Sequence, residues 1–247
     1  MNPVIELCVE GVDGAVAAAE AGADRIELCA SLMEGGITPS LGTLRATLRA
    51  VRVPVMVMVR PRGGDFLYSA REFASMLEDV ATFRDAGAAG VVFGCLTPDG
   101  AVDEARTRAL AERASPAGST FHRAFDMAAD PAAALEALVR CGVDRVLTSG
   151  QAPSAMEGLG VLTALVKQAA GRIVVLGCGA LRPDSIGVVR RAAGLEEMHF
   201  SAQCVAASGM VYRRGDLTMG NAPAEREFQH IATDQALVRA TIAAARA

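Results

Sequence analysis

The chain has 247 residues, with 24 Lys and Arg against 28 Asp and Glu, no Trp and only 4% aromatics. That near balance gives no global pull toward nucleic acid or a membrane surface, and so few aromatics leave little for a base-stacking platform. No apolar run is long enough for a membrane span, and no basic region followed by a long apolar stretch marks a secretory signal, so a cytoplasmic protein without nucleic-acid or membrane partners is expected.

The first element expected is a strand over 4–9, followed by a helix over 12–21 and a second strand over 25–29. The two strands echo each other. Ile5-Glu6-Leu7-Cys8 returns as Ile26-Glu27-Leu28-Cys29. Side chains alternate faces along a strand, so Glu6 and Cys8 share one face, and so do Glu27 and Cys29. One helix between them suits a parallel βαβ unit with the strands side by side. Two acids and two thiols would then form one wall. Glu is rarely buried without a partner, so that wall should face a polar cavity.

Further along, a unit recurs: an Ala-rich amphipathic stretch, a Gly, then a short β-branched run. Gly22, Gly87, Gly142, Gly171 and Gly194 each stand at such a junction. Gly just past a helix supplies the left-handed cap, and the apolar run after it reads as a buried parallel strand. Strands are expected at 54–59, 90–94, 119–122, 145–147, 172–176 and 197–200, with helices near 40–50, 69–86, 103–113, 131–141, 158–169, 184–193 and 233–246. Ser69 to Glu72 has the spacing of a capping box, and Pro131 and Pro183 fall at expected first turns.

Eight strand–helix units in a chain of this length predict an α/β fold, a single-domain (β/α)8 barrel. The rival, a doubly wound open sheet, usually carries a Gly-rich phosphate turn after its first strand, and Cys8-Val9-Glu10-Gly11 is not one. Residues 203–232 do not fit the repeat and are expected to be an extra loop between the eighth strand and the last helix, capping the mouth or docking a second subunit.

In such a barrel, functional side chains gather where the strands end. Cys8 and Cys29 on adjacent strands suit a soft ion such as Cu(I), although a thiol pair without a CxxC also fits plain packing. The six cysteines are scattered, as expected of free thiols. After the third strand, Arg60, Arg62 and Asp65 flank Gly63-Gly64. That run reads either as a site for a small anionic ligand or as an ion-pair network bracing the mouth. His122, with Arg123 and Asp126, ends the fifth strand; beside Glu27 it could serve as acid or base, as His199 could on the eighth. Ser149, Ser201 and the Gly177-Cys178-Gly179 turn would add a phosphate site. Met56 and Met58 read as core filler.

The residues then resemble a known family. Glu6-Leu7-Cys8-Val9, the run Gly22 to Cys29, Glu34-Gly35-Gly36, Thr38-Pro39-Ser40, the run Arg60 to Tyr68, the run Thr120 to Asp126, and Arg145 to Gly150 together resemble the CutC family, named for copper homeostasis. The resemblance runs from residue 4 to about 220. It implies a cytoplasmic (β/α)8 barrel, often a homo-oligomer, with a role in copper tolerance through Cu(I) held at Cys8 and Cys29. The turn Gly177-Cys178-Gly179-Ala180 departs from the Pro-Gly-x-Gly-like run of many members. The alternative implied by the surplus of acids, arginines and His is an enzyme acting on a small anionic or phosphorylated metabolite, with Glu27 and His122 as acid/base candidates. Its ligand would be held by Glu6, Arg60, Arg62, Asp65, Arg123, Asp126, Ser149 and Ser201.

Overall fold

The computed structural model describes residues 2–219 and 224–247. Eight units follow one another: β1 (Val4–Glu10) and α1 (Gly11–Glu20), β2 (Arg25–Cys29) and α2 (Leu41–Ala50), β3 (Val55–Met58) and α3 (Ala70–Asp85), β4 (Gly90–Phe93) and α4 (Glu104–Ala114). The second half continues with β5 (Gly118–Phe121) and α5 (Pro131–Cys141), β6 (Arg145–Thr148) and α6 (Leu159–Ala169), β7 (Val174–Gly177) and α7 (Ile186–Ala193), then β8 (Glu197–Phe200). The eight strands close into a parallel barrel in chain order, with β8 pairing back onto β1. This is the (β/α)8 fold that the repeat predicts.

The local signals explain the boundaries. Ser69 Oγ accepts from the Glu72 amide at 3.2 Å, and Glu72 accepts from the Ser69 amide at 2.7 Å, so the capping box forms. Asp130 caps α5 ahead of Pro131. The five junction glycines all adopt positive φ, from 72° to 101°, where a side chain would be strained. Most boundaries differ from the expectation by one or two residues, and two of these shifts show their local cause. Helix α7 starts at Ile186 rather than 184, because the residues after Pro183 form a turn. Strand β7 starts at Val174 rather than 172, because the Arg172 amide bonds back to the Ala169 carbonyl at 2.9 Å in the turn that ends α6.

Alternation sorts each strand into two environments. Ile5, Leu7, Ile26, Leu28, Val55 and Val57 face outward into one continuous core with the helices. The opposite parity faces the barrel interior. Such interiors are usually filled by branched apolar layers. Here the inward set includes Glu6, Arg25, Glu27, Arg145, Glu197 and His199, so charge fills much of the space that apolar side chains fill elsewhere.

The 203–232 segment is not simply a loop. Strand β9 (Gln203–Ala207) pairs antiparallel with β10 (Gln229–Thr233), and a short 3-10 turn at Ala224–Phe228 leads into β10. The last helix, α8 (Gln235–Arg246), follows and packs beside α7 and α1. Residues 220–223 of this segment lie outside the described residues.

Candidate metal centre

The echo on β1 and β2 does build one wall. Register places Cys8 beside Glu27 and Glu6 beside Arg25. The Cys8 and Cys29 sulfurs lie 3.7 Å apart, and Cys29 Sγ lies 3.7 Å from Glu27 Oε2. Glu27 and Cys29 are buried, while Cys8 is half-buried and is the exposed member of the pair. Met56, Met58 and Val92 pack against Cys29 and give the thiols a soft, dry flank.

Barrel closure adds His199. Its strand β8 pairs with β1, with His199 in register with Glu6. His199 Nδ1 lies 2.8 Å from Glu6 Oε1, and Nε2 lies 3.8 Å from Glu27 Oε2. Ligand atoms of Cys8, Glu27 and His199 all fall within 4.8 Å of one another. A metal held by sulfur and nitrogen at about 2.0–2.3 Å keeps its ligand atoms roughly 3.5–4.5 Å apart, so the grouping is on the scale of a metal site.

The electrostatics follow from burial and close partners. Burial pushes the Glu6 carboxyl up, but His199 and Arg25 outweigh it and bring it down to about 2. Glu27 meets no guanidinium among the described residues and is raised, chiefly by burial. Its Oε1 is buried with no hydrogen-bond partner among the described residues. The hydrogen bond with Cys29, then burial, lifts the Cys8 thiol well above its ordinary value. For Cys29 the bond to Cys8 acts downward, but burial and the Glu27 carboxylate bring it up to about 11. Burial opposes the charged form of His199, yet Glu27, Cys8 and Glu6 raise it well above the usual His range. These surroundings favour the thiol form of both sulfurs and the charged form of His199, beside an acid oxygen unpaired among the described residues.

The other expected site residues are elsewhere and already engaged. Arg60 is buried and donates to the carbonyls of Glu34 at 2.6 Å, Gly36 at 3.0 Å and Gly64 at 2.8 Å. Arg62 pairs with Glu72 at 2.7 Å and with the exposed Asp65 at 3.0 Å. Arg123 pairs with Asp126 at 2.7 Å and donates to Ser149 at 2.9 Å. Asp126 also accepts from the amides of Ser149 and Gln151 and ties down the turn after β6. Ser201 is half-buried, and its carbonyl accepts from Arg182 at 3.1 Å. Cys178 packs with Leu147 and Leu176. Beyond β8 the described chain runs into β9 rather than into a helix N-terminus, so the usual phosphate cradle of a barrel is not formed there.

His122 makes no hydrogen bond or ion pair with Glu6, Glu27 or Asp126 among the described residues. Its Nδ1 accepts from the Ala124 amide at 3.1 Å, and its ring packs at 5.0 Å from that of Phe66. Burial, reinforced by the Arg60 charge, pulls its pKa down to about 3. His122 is thus neutral in the fold, whereas an unfolded chain takes up its proton below about 6.5. Its contribution to stability is complete above that pH and is lost as pH falls toward 3. A denaturant series from pH 7 to 4 is expected to show a steeper fall for the wild type than for His122→Asn. Parallel curves would mean that His122 is not held neutral.

Fold and site together define a class: a (β/α)8 barrel whose mouth gathers thiol, imidazole and carboxylate groups at the ends of β1, β2 and β8. The chain belongs to the CutC family, whose profile matches residues 3–204. It is 60% identical over 245 residues to a CutC family protein of Mesorhizobium japonicum, covering 99% of this chain and 95% of that one. It is 45% identical over 243 residues to the human copper homeostasis protein cutC homolog, covering 98% of this chain and 89% of that one. The crystal structure of the Streptococcus agalactiae CutC protein superposes with a TM-score of 0.76 at 28% identity, over 80% of this chain and 97% of that one. A KDPGal structure, at a TM-score of 0.56 and 14% identity, shares the fold alone. Among the described residues no helix is long and apolar enough to cross a membrane.

Proposed function

We propose that this protein binds Cu(I) as part of copper homeostasis, holding the ion between Cys8 and Cys29 with His199 and Glu27 completing the site. The observation that carries this reading is the pair of free sulfurs 3.7 Å apart, beside an imidazole and an unpaired acid oxygen. Thiolates are the ligands that select Cu(I). Arg60 and Arg62 direct most of their donors at the protein's own carbonyls and carboxylates, and Arg123 donates to Asp126 and Ser149, which favours a metal over an anionic metabolite.

The same reading places the protein in a reducing cytoplasm, where unpaired thiols persist. It also gives the protein a homo-oligomeric state, in which a second copy covers the exposed Met210, Val211, Tyr212, Leu217 and Met219.

The test is an anaerobic Cu(I) titration against a competing chelator at several pH values. Both thiols and the His199 imidazole are raised, so binding must expel their protons, and affinity is expected to rise with pH by up to about tenfold per unit for each proton displaced. One tightly bound ion with that slope supports the site. Chelator-limited binding, or a flat pH response between 6 and 8, would count against it.

A further inference from the structure

The two acids of the echo look equivalent in sequence, but their surroundings differ. Both oxygens of Glu6 are engaged. Oε2 meets Arg25 Nε at 2.5 Å, and Oε1 meets His199 Nδ1 at 2.8 Å. Arg25 is held in turn by Glu197, at 2.5 Å from its second terminal nitrogen, and Glu197 also meets Arg145 at 3.0 Å. Glu6, Arg25, Glu197 and His199 are all at least nine-tenths buried. The result is a continuous chain of charge contacts, Arg145–Glu197–Arg25–Glu6–His199, with members on β6, β8, β2 and β1. Glu27, by contrast, keeps Oε1 without a partner among the described residues.

A guanidinium only donates, so Glu6 facing Arg25 is an acceptor. Its other oxygen then accepts from the imidazole, and the proton of that bond must sit on Nδ1. The ring has one remaining nitrogen, Nε2, and it is the one turned toward Glu27. A His that binds metal through one nitrogen almost always donates the other to a carboxylate or carbonyl, which fixes its orientation and raises its basicity.

We infer that Glu6, locked by Arg25 and Glu197, is a positioning residue that holds His199 with Nδ1 inward, so that Nε2 alone is presented to an ion at Cys8 and Glu27. This rests on the proposed Cu(I) site and assigns a task to a residue that touches no ion. The first echo then supplies an orienting acid, and the second supplies an acid for the ion itself.

The experiment combines nitrogen-15 NMR of the histidine side chains with the anaerobic Cu(I) titration, on wild type, Glu6→Gln and Glu27→Gln. In metal-free wild type, His199 is expected to show an Nδ1 proton shifted downfield and protected from solvent exchange. With Cu(I) added, that proton should persist while the Nε2 signal shifts. Glu6→Gln should lose the protected proton and weaken Cu(I) binding about 10–100-fold, the range for outer partners of a ligating His. Glu27→Gln should weaken binding but keep the proton. A folded Glu6→Gln with wild-type affinity would overturn the assignment. So would a freely exchanging Nδ1 proton in metal-free wild type, a result that needs no variant to fold. Failure of wild type to bind Cu(I) would instead remove the proposed function, while the metal-free spectra still decide the Glu6–His199 geometry.

Discussion

Replacing Cys8 and Cys29 together by serine is expected to weaken Cu(I) binding by roughly three orders of magnitude or more, about 4 kcal/mol. Serine keeps the size of the side chain but exchanges a soft sulfur for a hard hydroxyl that does not ionise near neutral pH, so the preference for Cu(I) goes with it. The fold should hardly change. The two sulfurs bond to each other and to Glu27, not to the backbone that builds the barrel. Thermal melting within a few degrees of wild type would establish that, and the same chelator competition would give the affinity. Cys29→Ser sits in the buried flank formed with Met56 and Met58, whereas Cys8→Ser sits at the half-buried end. Each alone should leave His199 and one sulfur, hence intermediate affinity. A double variant that binds copper as tightly as wild type would eliminate the thiol pair as the site.

Arg25→Met is expected to cost about 3–5 kcal/mol of folding stability, because it leaves buried carboxylates without the charge that compensates them. Arg25 touches both Glu6 and Glu197 at 2.5 Å. Domains of this kind are stable by only about 5–15 kcal/mol, so the loss would be conspicuous in a denaturant melt. The pH dependence gives a second handle. In wild type, burial acts upward on Glu6 but His199 and Arg25 bring it down to about 2, against an ordinary value of 4.5. The stabilisation from that depression is complete above about 4.5 and fades as pH falls toward 2. Without Arg25 the Glu6 carboxyl takes up a proton more readily, so the deficit of the variant should be largest near pH 7 and shrink at pH 4. A loss under about 1 kcal/mol at pH 7, or a deficit that grows with acid, would show that the interior network is not held by Arg25.

Much of the molecule was legible along the chain because its cues are local. Gly142 and Gly194 close their helices with left-handed backbone, and Ser69 with Glu72 opens α3, as their spacing indicates. Strand alternation alone put Glu6 with Cys8, and Glu27 with Cys29, on the inner face. The arginines were harder to read. Arg60, Arg62 and Gly63-Gly64 have the composition of an anion loop, but composition does not say where a guanidinium's donors go. Arg60 turns back onto the carbonyls of Glu34, Gly36 and Gly64, of which the buried Gly36 carbonyl would otherwise lack this partner.

By itself, then, the sequence determined the eight-fold repeat, the caps, the family, and the parity that sends two acids and two thiols inward. Those properties depend on residues within one strand or one helix turn. Only the tertiary structure decided which histidine joins them. His199 lies 193 residues from Glu6 and reaches it because the eighth strand pairs with the first when the barrel closes. His122 has the same residue type and the same strand-end setting, but the ring of strands carries it to Phe66 instead. Packing also separated two look-alike glutamates, setting one against Arg25 and leaving the other with an oxygen unpaired among the described residues. Register across a closed sheet is a property of the whole ring, so no local pattern could have specified it.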